Sequence, residues 1–273
     1  MMRTGLPGPG PGPGPGPDRE SGGETRATPA GPRFSPDPPS GRVFTTAARV
    51  VRSTDVTPAG RLRFDALARY LQEAAEDDLA DVGWAEPYAW LVRRVAIVVR
   101  GYPAYGERVT LRTFCSATGP RWAERTTTVA GPGGDDLIQA RAVWVAVARA
   151  DGRPAPLGEK FYRLYGSAAQ GRTVSARLSH PGPPKPYSAR IWPLRASDFD
   201  TAGHVNNAIH WAAVEDILPG LGWLPTSAEF EYHRPVLPGS DPQLITGHAA
   251  GQLSAWLLTG SQRLASARLY RRP

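Results

Sequence analysis

Ten residues in the last third of the chain, Asp198-Phe-Asp200-Thr-Ala-Gly203-His204-Val-Asn206-Asn207, gather two carboxylates, an imidazole and two carboxamides around one glycine. They run directly into Ile209, Trp211, Ala212, Val214 and Ile217, an apolar pattern with the spacing of a helix. A strand end, a turn at Gly203 and a helix start would leave unpaired N–H groups and the positive end of the helix dipole beside Asp200 and His204. Such a helix start polarises a carbonyl oxygen, while an adjacent carboxylate or imidazole activates water. Those are the parts needed for thioester or ester hydrolysis. The same residue types also cap helices and fill tight turns, so residue by residue a purely structural role accounts for them, and His204 alone could be a surface or core histidine.

What weighs against capping is a comparison internal to the chain. Asp55-Val-Thr-Pro-Ala-Gly60-Arg61-Leu62 aligns without a gap on Asp198-Phe-Asp-Thr-Ala-Gly203-His204-Val205, at an offset of 143. Val82-Gly83-Trp84 then matches Leu221-Gly222-Trp223, and Tyr105-Gly106 matches Pro238-Gly239. A repeat of roughly 140 residues is too long for a solenoid and indicates a duplicated domain. Thr57 stands where the second copy has Asp200, and Arg61 where it has His204. Capping would be needed equally in both copies, whereas a carboxylate and an imidazole occur beside the glycine in one.

The elements that must position these groups follow the same order twice. In the first copy, 43–51 reads as a strand and 67–82 as a helix with Leu67, Tyr70, Leu71, Ala74, Ala75 and Leu79 on one face; strands follow at 89–100, 109–115, 122–130 and 137–148. In the second, a strand at 189–195 leads to a helix at 205–218 and strands at 228–237, 243–249, 254–259 and 265–270. One helix followed by four strands provides no helices for parallel crossovers, so the sheet should be antiparallel. Residues 166–188 are rich in Gly, Pro and Ser and read as a linker. Residues 1–41 hold an alternating Gly/Pro tract and scarcely an apolar side chain, and are expected to form a disordered leader.

Composition removes several functional classes. Of 32 basic residues only Lys160 and Lys185 are Lys, and the formal charge of +7 is spread without basic runs or a helix-turn-helix or RNA-reading signature, so no nucleic acid partner is expected. Cys115 is the one cysteine, which removes intramolecular disulfides and cysteine-rich zinc sites; in an apolar strand it reads as a small buried hydrophobe. His204 and His210, six residues apart, make a poor metal pair. No GxSxG, P-loop, HExxH or GxGxxG motif is present, and no cofactor or metal is expected. No membrane span or secretory signal is visible, which points to a soluble, cytoplasmic protein.

With these residues in view, HVNN after DFDTAG resembles the second half of the acyl-acyl carrier protein thioesterases, a double hotdog family. RLRFDALARYLQEAAEDDLADVGW and WLVRRVAIVVRGYPAYGERVTLRTF are similar to the family's first half, and the likeness, of bacterial type, covers about 43–271. It implies an α+β fold of two tandem hotdog domains, each a long helix wrapped by an antiparallel sheet: 42–165, a linker at 166–188, and 189–273 carrying the site. It implies hydrolysis of fatty acyl thioesters on acyl carrier protein, with Asp200, His204 and Asn206 as catalytic residues and the first half shaping the acyl pocket. An acyl-CoA thioesterase and a non-catalytic acyl-binding hotdog protein are the alternatives. Two positions depart from the plant members: Ala202 replaces an Asn, and Pro235-Val236 replaces a Glu-Cys pair, for which Glu231 or His233 could substitute. Because acyl carrier proteins are acidic, Arg121, Arg125, Arg141 and Arg149 are candidates for a docking face.

Overall fold

A computed structural model describes residues 34–271. Two short strands, β1 (Phe44–Thr45) and β2 (Arg49–Val50), precede helix α1 (Phe64–Asp81). Four long strands follow: β3 (Tyr88–Val99), β4 (Arg108–Thr118), β5 (Trp122–Ala130) and β6 (Asp136–Ala148). Helix α2 (Glu159–Ala169) and β7 (Ala189–Ile191) lead into helix α3 (Asn207–Glu215) and the strands β8 (Ser227–Tyr232), β9 (Gln243–Ala249), β10 (Gln252–Thr259) and β11 (Gln262–Tyr270).

All the strands lie in one sheet, in the order β1-β4-β5-β6-β3-β8-β11-β10-β9-β7, with β2 beside β4 and every strand pair antiparallel. Outward from the middle, β3-β6-β5-β4 repeats as β8-β11-β10-β9, so the duplication read from the sequence is also a duplication of topology. The two copies meet where β3 pairs with β8, from Arg94↔Glu231 to Val98↔Ser227. At the seam β3 is covered on both faces, so Ile97, Val98 and Val99 are buried in succession, whereas Leu91 near the other end of the strand is exposed. Val95, Ile97 and Val99 of β3 join Ala228, Phe230 and Tyr232 of β8 in the core.

The helices pack on that core and on each other. Buried Leu67, Tyr70, Leu71, Ala74 and Asp78 keep one face of α1 against the sheet. The Phe64 ring stacks on Trp211 of α3 at 5.5 Å. Beside the rings, the Arg61 guanidinium forms a fork on Glu215 at 2.6 and 3.2 Å, and the same carboxylate accepts the Phe64 backbone N–H at 2.6 Å. Glu215 therefore caps α1 from the other copy, satisfying an N–H that no α1 side chain reaches.

Three expectations from the sequence are revised. The strand read at 43–51 is two short pieces, both along β4. Helix α2 was not anticipated and runs to Ala169, past the expected start of the linker at 166; Phe161, Tyr165, Ala168 and Ala169 form its buried face. The leader read at 1–41 lies mostly outside the described residues, but its last part contacts the sheet. The Gln139 amide donates to the Ser35 carbonyl at 2.9 Å, and Arg112 pairs with Asp37 at 3.1 Å.

The segment after α2 is also anchored. Glu231, buried on the sheet face away from the helices, accepts the Ser179 N–H at 2.6 Å and the His180 N–H at 3.1 Å. Burial alone would raise this carboxyl, but the His233 side chain and these two N–H groups outweigh it and hold it down to about 2. A carboxyl depressed in this way stabilises the fold above its ordinary range, and that contribution is lost as pH falls towards 2.

Glu215→Ala would leave the Arg61 guanidinium and the Phe64 N–H without their partner in a nearly buried place. It should destabilise the fold by about 3 kcal/mol, read as a lower urea midpoint with an unchanged denaturant slope.

Candidate active site

Each copy builds the same loop before its helix. In the second, Asp198 accepts the Arg195 N–H at 2.8 Å, the Asp200 N–H reaches the His204 carbonyl at 3.0 Å, and the Gly203 N–H returns to Asp200 O at 3.0 Å. In the first, Asp55 accepts Arg52 N–H at 2.9 Å, Thr57 N–H reaches Arg61 O at 2.8 Å, and Gly60 N–H returns to Thr57 O at 2.8 Å. Gly203 and Gly60 sit at φ +74° and +81°, backbone that side chains other than glycine's rarely tolerate, which is why the glycine recurs. The scaffold of this loop needs Asp55 and Asp198; it does not need Asp200 or His204.

The Asp200 carboxylate is half-buried and oriented from two sides. Its Oδ1 accepts the Ala202 backbone N–H at 2.9 Å, and its Oδ2 accepts the Asn206 carboxamide at 3.3 Å. Asn206 is also the N-cap of α3, with its Oδ1 accepting the Ala208 N–H at 2.9 Å. One side chain thus ties Asp200 to the helix start. The contact from residue 202 comes from its backbone, so Ala at this position still supports Asp200.

Asp200, Ala202, His204 and Asn207 line one end of a cavity of about 350 Å³. That volume lies within the range of about 300–1,000 Å³ usual for small-molecule sites. Apart from Val205, the rest of the wall comes from the first copy, including Gln72, Ala75, Glu76 and Leu79 of α1, the start of β3, and Phe161 and Tyr165 of α2. Trp84, Tyr88, Trp90, Phe161 and Tyr165 form a continuous aromatic lining, with Tyr88–Trp90 centroids 5.5 Å and Phe161–Tyr165 centroids 5.2 Å apart. The Asn207 backbone N–H, the first of α3, has no hydrogen-bond partner among the described residues.

The related place in the first copy is closed. Phe64 stands where the second copy has Asn207, and Trp211 where the first has Ala68; the stacked rings of Phe64 and Trp211, with Phe230 at 4.7 Å, fill that volume. Arg61, at the place of His204, is held by Glu215, which also covers the Phe64 N–H.

Several residues read from the sequence fall elsewhere. Glu231 and His233 do not line the cavity; Glu231 binds the 179–180 segment on the opposite sheet face and His233 contacts Glu231 and Ser266, so neither substitutes for the departure at Pro235. His210 is buried against Trp192, Phe230 and Tyr232, and burial lowers its imidazole to about 4 despite a hydrogen bond to the Asn206 carbonyl. Among the described residues no group of three or more His, Cys, Asp or Glu is placed to hold a metal ion. Arg125 turns inward and pairs at 2.7 Å with Asp78, which also takes Arg42 at 2.6 Å, so it is removed from the candidate docking face. Arg121 and Arg149 are exposed, and Arg149 borders the cavity.

Residues 41–165 match the family described as Acyl-ACP thioesterase N-terminal domain. An uncharacterized protein of Mycobacterium tuberculosis is 32% identical over 205 residues, covering 74% of this chain and 81% of that protein. The chain belongs to the acyl-ACP thioesterase family. Among solved structures, the fold is shared with the 12:0-ACP thioesterase from Umbellularia californica, at a TM-score of 0.70 and 21% identity over 85% of this chain and 97% of that one. It is shared equally with an acyl-ACP thioesterase from Bacteroides thetaiotaomicron, at a TM-score of 0.70 and 19% identity over 84% and 97% of the two chains. The fold is accordingly α+β of hotdog type, and this acyl-ACP thioesterase homologue is a thioester hydrolase acting on fatty acyl thioesters.

Cys115 lies on the cavity wall, but burial raises its thiol to about 11, with Arg125 only partly opposing the shift. At pH 8 the thiol of the folded protein should react with a disulfide reagent at least tenfold more slowly than that of the urea-unfolded chain, monitored by absorbance of the released thiolate.

Proposed function

We propose that the chain releases free fatty acid from acyl carrier protein, with Asp200 as the base, His204 as the proton donor to the leaving thiolate, and Asn206 as the residue that positions Asp200. The observation that carries this reading is an asymmetry. Asp200, His204 and an unoccupied helix N–H converge on one aromatic-lined cavity, whereas the related residues are Thr57, Arg61 and an N–H covered by Glu215.

The chemistry follows from that arrangement. The thioester carbonyl oxygen accepts the Asn207 N–H, where the positive end of the α3 dipole stabilises the negative charge that develops on it. Water adds to the carbonyl carbon as Asp200 takes its proton. The tetrahedral intermediate collapses with cleavage of the C–S bond, His204 protonates the sulfur, and the proton held by Asp200 restores the pair. The acyl chain lies along the aromatic wall supplied by the first copy, where burial of its methylenes contributes about 0.8 kcal/mol each.

The carrier-bound form is supported by the family match over residues 41–165, and exposed Arg149 at the cavity and exposed Arg121 suit an acidic carrier, although they would equally attract the phosphates of a CoA thioester. On this reading the reaction belongs to the cytoplasm and to fatty acid synthesis. Within the described residues no helix is long and apolar enough to cross a membrane.

Asp200→Asn should lower the turnover of a medium-chain acyl carrier protein thioester by about 10² or more, while Thr57→Ala leaves it unchanged. Free-thiol release measured in parallel with the matching CoA thioester distinguishes the carrier-directed enzyme from an acyl-CoA thioesterase. Equal losses in both variants would refute the assignment of the site to the second copy.

A further inference from the structure

The internal symmetry that relates the two loops also relates what faces them. The offset of 143 that carries Gly60 to Gly203 carries Arg61 to His204, Phe64 to Asn207 and Gln72 to Glu215. In the closed copy, Glu215 reaches from α3 across to the other copy's loop, with both oxygens on the Arg61 guanidinium and one of them, Oε1, also accepting the Phe64 N–H. Its counterpart, Gln72, reaches from α1 to the same cavity as His204 and Asn207. Glu and Gln have the same length and shape. The Glu215 carboxylate is thus an internal image of the oxygen that the open copy receives from outside.

Gln72 differs from Glu215 in charge and in having hydrogens to give. Its Nε2 donates to the Glu76 carboxylate one helical turn on, at 3.0 Å, which fixes the terminal atom as nitrogen. A primary amide has two N–H groups, so one is left. We propose that Gln72 is the second donor to the thioester carbonyl oxygen, opposite the Asn207 N–H, with Glu76 holding its amide in orientation. A carboxylate at position 72 would do the reverse: it would occupy the Asn207 N–H and pair with the His204 imidazolium, as Glu215 does with Phe64 and Arg61. The neutrality of residue 72 is therefore what keeps the helix start available to substrate.

This assignment rests on the hydrolytic reading of Asp200 and His204, and two variants of the full chain test it separately from that reading. Gln72→Ala should lower kcat for a medium-chain acyl carrier protein thioester about tenfold with little change in KM, as expected for a hydrogen bond that strengthens in the transition state. Gln72→Glu, nearly isosteric, should lower kcat/KM about 100-fold and raise the His204 imidazole pKa by about 1, followed by NMR of the ring protons. The other charged groups of the cavity, Glu76, Glu124, Arg125, Arg149 and Asp200, are common to both proteins. A structural role for Gln72 would lower the melting temperature and leave the imidazole titration unmoved.

Wild-type turnover in Gln72→Glu, or an imidazole that titrates as in the wild type, overturns the proposal while Asp200→Asn still abolishes activity. If the wild-type chain hydrolyses no thioester, the hydrolytic reading fails, and the His204 titration in Gln72→Glu still decides whether residue 72 faces the imidazole.

Discussion

The antiparallel seam between β3 and β8 is the constraint on which the rest of the structure depends. It joins two copies of one unit about an approximate two-fold axis, sets α1 beside α3, and brings the loop before each helix opposite the helix of the other copy. Everything that distinguishes an open site from a closed one is then a matter of which side chains stand at symmetry-related places. At one place they are Arg61, Phe64, Trp211 and Glu215; at the other, His204, Asn207, Ala68 and Gln72. The first set is two interlocking rings and a desolvated ion pair, which exclude a ligand. The second is small or polar and leaves room for one.

The closed set is not idle material. A helix start buried between two copies requires partners for its N–H groups, and a carboxylate satisfies that need while matching the dipole. In the closed copy the protein supplies this partner from its own chain and gains rigidity where α1 meets α3. In the open copy Asn206 caps the Ala208 N–H, and the Asn207 N–H alone is left for an oxygen from outside. A locked and an open version of one loop thereby stand side by side in one chain.

Much of this was legible in the sequence because it is local. Strands β5 and β9 coincide with the runs at 122–130 and 243–249, and the repeated Asp-x-x-x-Ala-Gly loop announces the duplication before any coordinate is seen. What was not legible depends on direction or distance. The face of β8 that Glu231 occupies, and the inward turn of Arg125 towards Asp78, cannot be read from residues that alternate along strands. The Arg61–Glu215 pair joins residues 154 apart in the chain, so the sequence displays the exchange of His for Arg but not the carboxylate that makes sense of it. Helix α2 carried a signal, in Phe161, Tyr165, Ala168 and Ala169, that was masked by Gly158, Gly166 and the small residues after it.

Covalent fusion of the two copies has a consequence for how such a site can vary. In a dimer of identical subunits every substitution appears twice, so a glutamate that locks one interface must lock its mirror image as well. Here Glu215 and Gln72 are separate positions in one polypeptide, free to diverge. One of the two related places is therefore an open cavity, while the other is filled by Phe64 and Trp211 and pinned by the Arg61–Glu215 pair, so that it serves as a hinge-pin between the copies.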